Sequence, residues 1–220
     1  IGWRTQAQFN APIYGLFAMP DGVGCAVHAG AKLYFRAPDG TQTELCADMN
    51  EAFSQSFTMK GVLYLIDGKT YRAVRKSSKN TAWEAVSVSG TAYVPTTTIS
   101  AAPTGGGTSY EAVNLLTPKR INTFIGDGTA TQFKVDATDL DETAVTAEVN
   151  GSAVTVSAVN RSTGLVTLAA APANGNGLAN VSIAFAKTVN GHADKINKCR
   201  FAGLYGGKND TRVFLSGNPD

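Results

Sequence analysis

The sequence predicts an all-β protein, with propeller-like blades of antiparallel strands and one inserted, immunoglobulin-like β-sandwich. Three observations carry this. First, one hairpin pattern is written three times, at Ile13–Gly30, Phe53–Gly68 and Arg200–Gly217. Each is an apolar strand, a turn, a second apolar strand and a glycine. Second, Gly30 and Gly68 lie 38 residues apart, close to a propeller blade of about 40 residues. Third, charged residues are only 16% while glycines number 23, which suits short strands joined by tight turns.

Residues 1–94 read as β throughout. In the first copy, Ile13–Met19 passes a Pro-Asp-Gly turn into Cys25–Gly30. His28–Tyr34 and Ile66–Tyr71 are two versions of strand, glycine turn, strand ending in tyrosine. Asp67-Gly68 suits a hairpin because glycine accepts positive φ. Ala37–Thr41 is a second turn, in which Pro38 presets φ and Gly40 closes the bend. Ala82–Val88 alternates as an outer blade strand does.

Residues 95–120 read differently, as an extended Pro/Gly-rich linker or an intersubunit arm. Pro95–Pro103 is extended, and Gly105-Gly106-Gly107 is flexible. Ser109–Leu116 is expected to make one or two helical turns capped by Ser109, before Thr117-Pro118 ends them.

Residues 121–188 read as the inserted sandwich. Strands are expected at Thr131–Val135, Ala144–Val149, Ala153–Val159, Leu165–Leu168 and Ala179–Phe185. Asn150-Gly151 is the strongest short hairpin signal in the chain. Residues 189–220 return to the blade pattern. Setting the sandwich and its joints aside leaves room for two more blade periods between Gly68 and Gly217. The chain starts at Ile1 rather than Met and stops at Asp220 after a Gly-Asn-Pro turn, which reads as a piece of a longer polypeptide.

Chemistry is sparse. The histidines are His28 and His192. His28 sits inside a strand pattern and reads as a satisfied structural residue, with a catalytic or metal role as the sharper alternative. His192 reads as exposed. Nothing places a base beside a nucleophile. Asp136, Asp139, Asp141 and Glu142 crowd one segment, as a solvated acidic turn or a weak Ca²⁺ site without EF-hand spacing. Gly105–Thr108 lacks the Gly-Lys-Ser/Thr ending of a phosphate loop. Gly203–Gly207 lacks the strand-to-helix setting of a dinucleotide site. Cys25, Cys46 and Cys199 have no metal-ligand spacing. Cys25 and Cys199 read as small apolar strand residues, and three unpaired thiols suit a reducing compartment. Tyr14, Phe17, Tyr34, Phe35, Tyr64 and Tyr71 stand at strand spacing and read as blade packing, or as a sugar platform where one faces outward. No catalytic, cofactor-binding or metal-binding residue is therefore assigned, and no cofactor is expected.

A net charge of +2 does not indicate nucleic-acid binding. The cluster Arg72, Arg75, Lys76 and Lys79 reads as a solvated turn or a contact to an acidic partner. No apolar run approaches the length of a membrane span.

Several stretches carry a resemblance: Val27–Tyr34, Tyr93–Thr98, Gly105–Glu111, Asn114–Arg120 and Asn197–Gly207. These strings resemble structural proteins encoded in the virion gene clusters of tailed bacteriophages and prophages of Gram-positive gut bacteria. The stretch from Gly126 through Asn150-Gly151 to Thr167 is similar to the small sandwich modules that decorate phage tail and capsid proteins. At the level of fold, the blades are similar to β-propeller proteins that stabilise packaged DNA at the phage neck. The resemblance implies a non-enzymatic virion component, a scaffold or adaptor near the neck, head–tail connector or tail. It implies other virion proteins as partners, several copies per particle, and synthesis in the host cytoplasm. The alternative from the residues is a glycan- or receptor-binding adhesin module.

Overall fold

The computed structural model describes residues 5–79, 81–111, 114–206 and 212–219. The described residues form nineteen strands, one 3-10 turn and one four-residue helix, so the all-β class holds. The chain divides into two compact units, residues 1–91 with 191–220, and residues 92–190.

The first unit holds two four-stranded blades. Blade 1 runs β1 (Ile13–Ala18), β2 (Cys25–Ala29), β3 (Lys32–Arg36) and β4 (Gln42–Cys46), each antiparallel to the next. Blade 2 repeats it with β5 (Gln55–Met59), β6 (Val62–Ile66), β7 (Tyr71–Lys76) and β8 (Trp83–Ser87). Strand pairing puts Phe17 opposite Ala26 and Phe57 opposite Tyr64. No described strands close these sheets into a ring.

Alternation decides which face of each blade is covered. Blade 1 turns Phe17, Ala26, Leu33 and Phe35 toward Leu63, Leu65, Val74 and Trp83 of blade 2, and these residues form one core with Met19 and Met49. On its other face blade 2 carries an aromatic ladder. Phe57 stacks on Tyr64 at 5.0 Å, and Tyr71 tilts against both. Burial first, and then the neighbouring Tyr64, push the Tyr71 phenol up to about 12.

The second unit is a two-sheet sandwich. Its strands are β9 (Thr96–Ala101), β10 (Thr108–Ser109), β11 (Lys119–Phe124), β12 (Gln132–Lys134), β13 (Thr146–Val149), β14 (Ser152–Val154), β15 (Val156–Asn160), β16 (Leu165–Leu168) and β17 (Val181–Ala186). One sheet runs β10-β9-β11-β17-β13-β14 and the other β12-β16-β15. The strand expected at Ala153–Val159 breaks at Thr155, so that β14 and β15 belong to different sheets. Phe124, Phe133, Phe185, Ile183, Val166 and Leu168 fill the space between the sheets. Phe124 meets Phe133 edge-on at 5.4 Å.

Residues 95–120 are not a linker. β9 pairs in parallel with β11, and β10 folds back on β9. The triple glycine between them is a tight hairpin, because all three residues hold positive φ. A Cβ on Gly107 would stand 2.6 Å from the Ile99 carbonyl. The helical turns expected over 109–116 include residues 112 and 113, outside the described residues, and Ser109 itself lies in β10.

After the sandwich the chain re-enters the first unit through α1 (Asp194–Asn197) and then β18 (Phe201–Tyr205) and β19 (Arg212–Ser216), an antiparallel hairpin. β18 runs beside β5, and the Ala202 amide donates to Gln55 Oε1 at 3.0 Å. The turn expected at Gly207–Asp210 lies outside the described residues. Because the second unit takes Ala92–Asn190, the interval from Gly68 to Gly217 leaves one blade period rather than two. Cys199 sits in the loop after α1 rather than in a strand.

Phe133 is fully buried at the centre of the sandwich. Phe133→Ala is expected to destabilise that unit by about 3–5 kcal/mol through lost burial and a residual cavity. Urea denaturation followed by far-UV circular dichroism measures it, and a loss below about 1 kcal/mol would contradict this packing.

Candidate functional site

The most concentrated buried polar group in the first unit lies where the chain crosses from blade 1 to blade 2. His28 points from β2 into the seam and is fully buried. Its Nδ1 lies 3.0 Å from Ser54 Oγ, and the Tyr14 ring packs against it at 5.5 Å. Gly15 makes room for this, since a Cβ there would stand 2.6 Å from Ser54 Oγ. Ser54 is held in turn by its amide, which donates to the Tyr14 carbonyl at 3.2 Å.

Asp67 is buried in the β6–β7 turn. Its carboxylate accepts from the Lys69 amide at 2.9 Å, the Thr70 amide at 2.6 Å, Thr70 Oγ1 at 2.9 Å and the Asn50 amide at 2.8 Å. Asn50 Nδ2 donates back to the Asp67 carbonyl at 2.9 Å. One residue earlier, the Met49 amide donates to the Ala31 carbonyl at 3.0 Å. The 47–54 crossover is thus tied to the β2–β3 turn, the β6–β7 turn and β1.

His28, Ser54 and Asp67 are the residue types of a hydrolytic triad, but the geometry is that of a brace. A triad needs the acid to orient the base and the nucleophile to meet substrate. Asp67 accepts four hydrogen bonds, none of them from His28. His28 Nε2 has no hydrogen-bond partner among the described residues, and Ser54 is only 3% exposed. Desolvation lowers the His28 pKa below its ordinary 6.5, while the charge of Asp67 and the backbone of Gly30 and Asn50 pull weakly the other way. A neutral imidazole holding a hydroxyl across the seam is the result.

The remaining candidate residues are separated by their partners. His192 lies in the turn before α1 and is half-buried rather than exposed. Asp136 accepts from Thr98 Oγ1 and Asn122 Nδ2. Asp141 accepts from the Thr188 amide and hydroxyl, and Glu142 pairs with Arg161 at 3.0 Å. Among the described residues no three His, Cys, Asp or Glu gather in a group that could hold a metal. Of the basic cluster, Arg72 pairs with Asp48, Arg75 with Glu84 at 3.0 Å, and Lys76 with Asp21 at 2.9 Å. Lys76 also lies over the Trp83 ring. Burial pushes the Cys46 and Cys199 thiols up, away from the reactive thiolate.

The second unit carries a shallow groove of about 820 Å³, lined in part by Ser100, Thr104, Asp127, Gln132 and Asn174. Its one carboxylate, Asp127, closes a turn by accepting from the Ala130 and Thr129 amides, which lower its pKa. The aromatic residues of 121–188 are Phe124, Phe133 and Phe185, and all three are in the core. No ring in that segment is free to stack on a sugar.

Among the described residues, the β18–β19 hairpin gathers several exposed apolar side chains on one ribbon. Phe201, Leu204, Tyr205 and Phe214 are each more than half exposed. Tyr205 meets Phe214 edge-on at 5.5 Å, and the Arg212 guanidinium lies 5.7 Å from the Tyr205 ring centre. Alternation alone marked these residues as apolar strand and gave no sign that they stay uncovered. Ser54 and Asn50 were missed because nothing local in their sequence marks a seam.

Compared with protein-family models, curated proteins and solved structures, the chain matches none. No helix among the described residues is long and apolar enough to cross a membrane.

The His28 pKa fixes a pH dependence. A histidine whose folded pKa lies below its unfolded value binds its proton more readily when unfolded. Its contribution is full above about pH 6.5 and is lost as pH falls toward the folded pKa. Urea midpoints of the first unit are expected to fall between about pH 7.5 and pH 5, and His28→Gln is expected to flatten that fall. Ser54→Ala strips the ring of its remaining partner and is expected to cost about 1–3 kcal/mol at neutral pH.

Proposed function

We propose that this chain is a non-enzymatic structural protein of a tailed-phage virion, a scaffold or adaptor near the neck or tail that works by protein–protein assembly. The observation that carries the reading is the β18–β19 hairpin, which presents aromatic and aliphatic side chains to solvent on a two-stranded ribbon. Interface cores are rich in such rings, often with arginine beside them. The reading also draws on the resemblance of Val27–Tyr34, Gly105–Glu111 and Asn197–Gly207 to virion proteins. It draws as well on the use of the buried polar side chains, which are spent on tying blades together. A glycan-binding reading finds no stacking ring in 121–188 to rest on.

Two measurements test this. Mass spectrometry of density-banded phage particles from the source culture is expected to find peptides of this chain in fixed ratio to the other virion proteins. Expression of the chain in cells that release particles lacking it would overturn the proposal. The purified chain is also expected to turn over no generic ester, glycan, peptide or nucleotide substrate. Robust turnover lost in His28→Gln would refute the non-enzymatic reading.

A further inference from the structure

Asparagine is a chemically labile residue, and a glycine after it, having no side chain, leaves its amide open to attack the carboxamide. The chain holds four such pairs, beginning at Asn150, Asn174, Asn176 and Asn190. Those at 150, 174 and 176 lie within the second unit, and the fold treats them differently. Loss of the amide group needs a carboxamide that can turn, a following amide nitrogen that can reach it, and a main chain able to rotate between them.

Asn174 meets none of these needs. Its Oδ1 accepts from the Asn176 amide at 2.7 Å, and the Gly175 amide donates to the Gly126 carbonyl at 2.8 Å. A Cβ on Gly175 would stand 2.3 Å from the Leu178 carbonyl oxygen, so the main chain here is tightly packed. Asn150 has an unbonded carboxamide and is followed by an unbonded Gly151 amide among the described residues, but its main chain is held. It is the corner of the β13–β14 hairpin, where Ala147–Val149 pairs with Ser152–Val154 and Ala147 sits in the core. Its own amide donates to the Asn180 carbonyl at 2.8 Å. Turning that corner breaks strand pairing.

Asn176 meets every need. Its carboxamide and the Gly177 amide have no hydrogen-bond partner among the described residues. Both residues are exposed, and a Cβ on Gly177 would meet open space. With φ of 51° and 86° the pair forms a mirror-image turn, closed by the Leu178 amide donating to the Gly175 carbonyl at 3.0 Å. No strand ladder stands behind that bond, and Leu178 is 75% exposed. Such a turn opens at little cost.

We propose that Asn176 is a site of spontaneous deamidation, in preference to Asn150 and Asn174. The Gly177 amide nitrogen gives up its proton and bonds to the Asn176 Cγ. The Cγ–Nδ2 bond breaks, ammonia leaves with that proton, and a cyclic succinimide remains. Water adds to one ring carbonyl and opens the ring, giving aspartate or isoaspartate. Either product sets a new carboxylate in the loop that lends Asn174 to the shallow groove, and isoaspartate also lengthens the main chain there. The chemistry needs only water, and it goes beyond the scaffold reading without resting on it.

Peptide mapping of the whole chain after ageing in mildly alkaline buffer tests this, with electron-transfer fragmentation to locate each acid and to tell isoaspartate from aspartate. A sample aged in urea gives the rate of each site without the fold. In the folded chain Asn176 is expected to convert faster than Asn150 and Asn174. Asn174 is expected to convert about tenfold or more slowly folded than unfolded, because its hydrogen bonds must break first. Folded Asn174 converting as fast as Asn176 would overturn the proposal. So would Asn150 leading Asn176, or an Asn176 that stays intact while the sample in urea converts.

Discussion

A sheet of four short strands has two apolar faces and cannot fold both away from water by itself. Everything in the first unit follows from that constraint. Blade 1 gives Phe17, Leu33 and Phe35 a dry environment only because blade 2 supplies Leu63, Leu65 and Val74. Each buried aliphatic side chain is worth about 1.5–3 kcal/mol relative to exposure, so the shared core dominates the stability of the pair. Turns and edges are secondary to it.

The seam that joins the blades must also satisfy backbone groups that no strand can pair. The 47–54 crossover passes over the ends of both sheets, and it meets this demand with side chains. Asp67 takes four donors and Asn50 returns one to the Asp67 carbonyl. Such a network fixes the angle between blades because a misplaced blade would leave a buried carboxylate short of partners, a costly state in low dielectric. His28 belongs to this brace. Its burial holds it neutral, and its Nδ1 reaches the hydroxyl that anchors the end of the crossover.

What the residues declare in advance is local. Asn150-Gly151 forms its hairpin with φ of 50° and 77°, as mirror-image turns require. The three glycines at 30, 68 and 217 mark equivalent strand ends because each closes the same two-stranded pattern. Pairings distant in sequence are hidden. Thr96–Ala101 has the composition of an extended linker, and its pairing with β11 on one side and β10 on the other makes it a strand. The triple glycine reads as flexible, yet the fold needs all three at positive φ to bring β10 back. The same blindness conceals the seam. Ser54 stands 26 residues from His28, and neither residue type nor spacing distinguishes it from a surface serine. Exposure at β18–β19 is equally invisible, because Leu204 has the same sequence setting as Phe57.

The two units solve the problem of an uncovered face differently. In the sandwich, the two sheets cover each other, and Asn122 links them through bonds to Thr97 and Asp136. Every aromatic side chain of residues 121–188 is therefore interior. The blades have no such closure, since each covers its predecessor and in turn needs a successor. In the blade unit the exposed rings stand instead on the β18–β19 hairpin, where strand pairing puts Phe201, Tyr205 and Phe214 on one side of the ribbon and leaves Val213 and Leu215, on the other, partly buried.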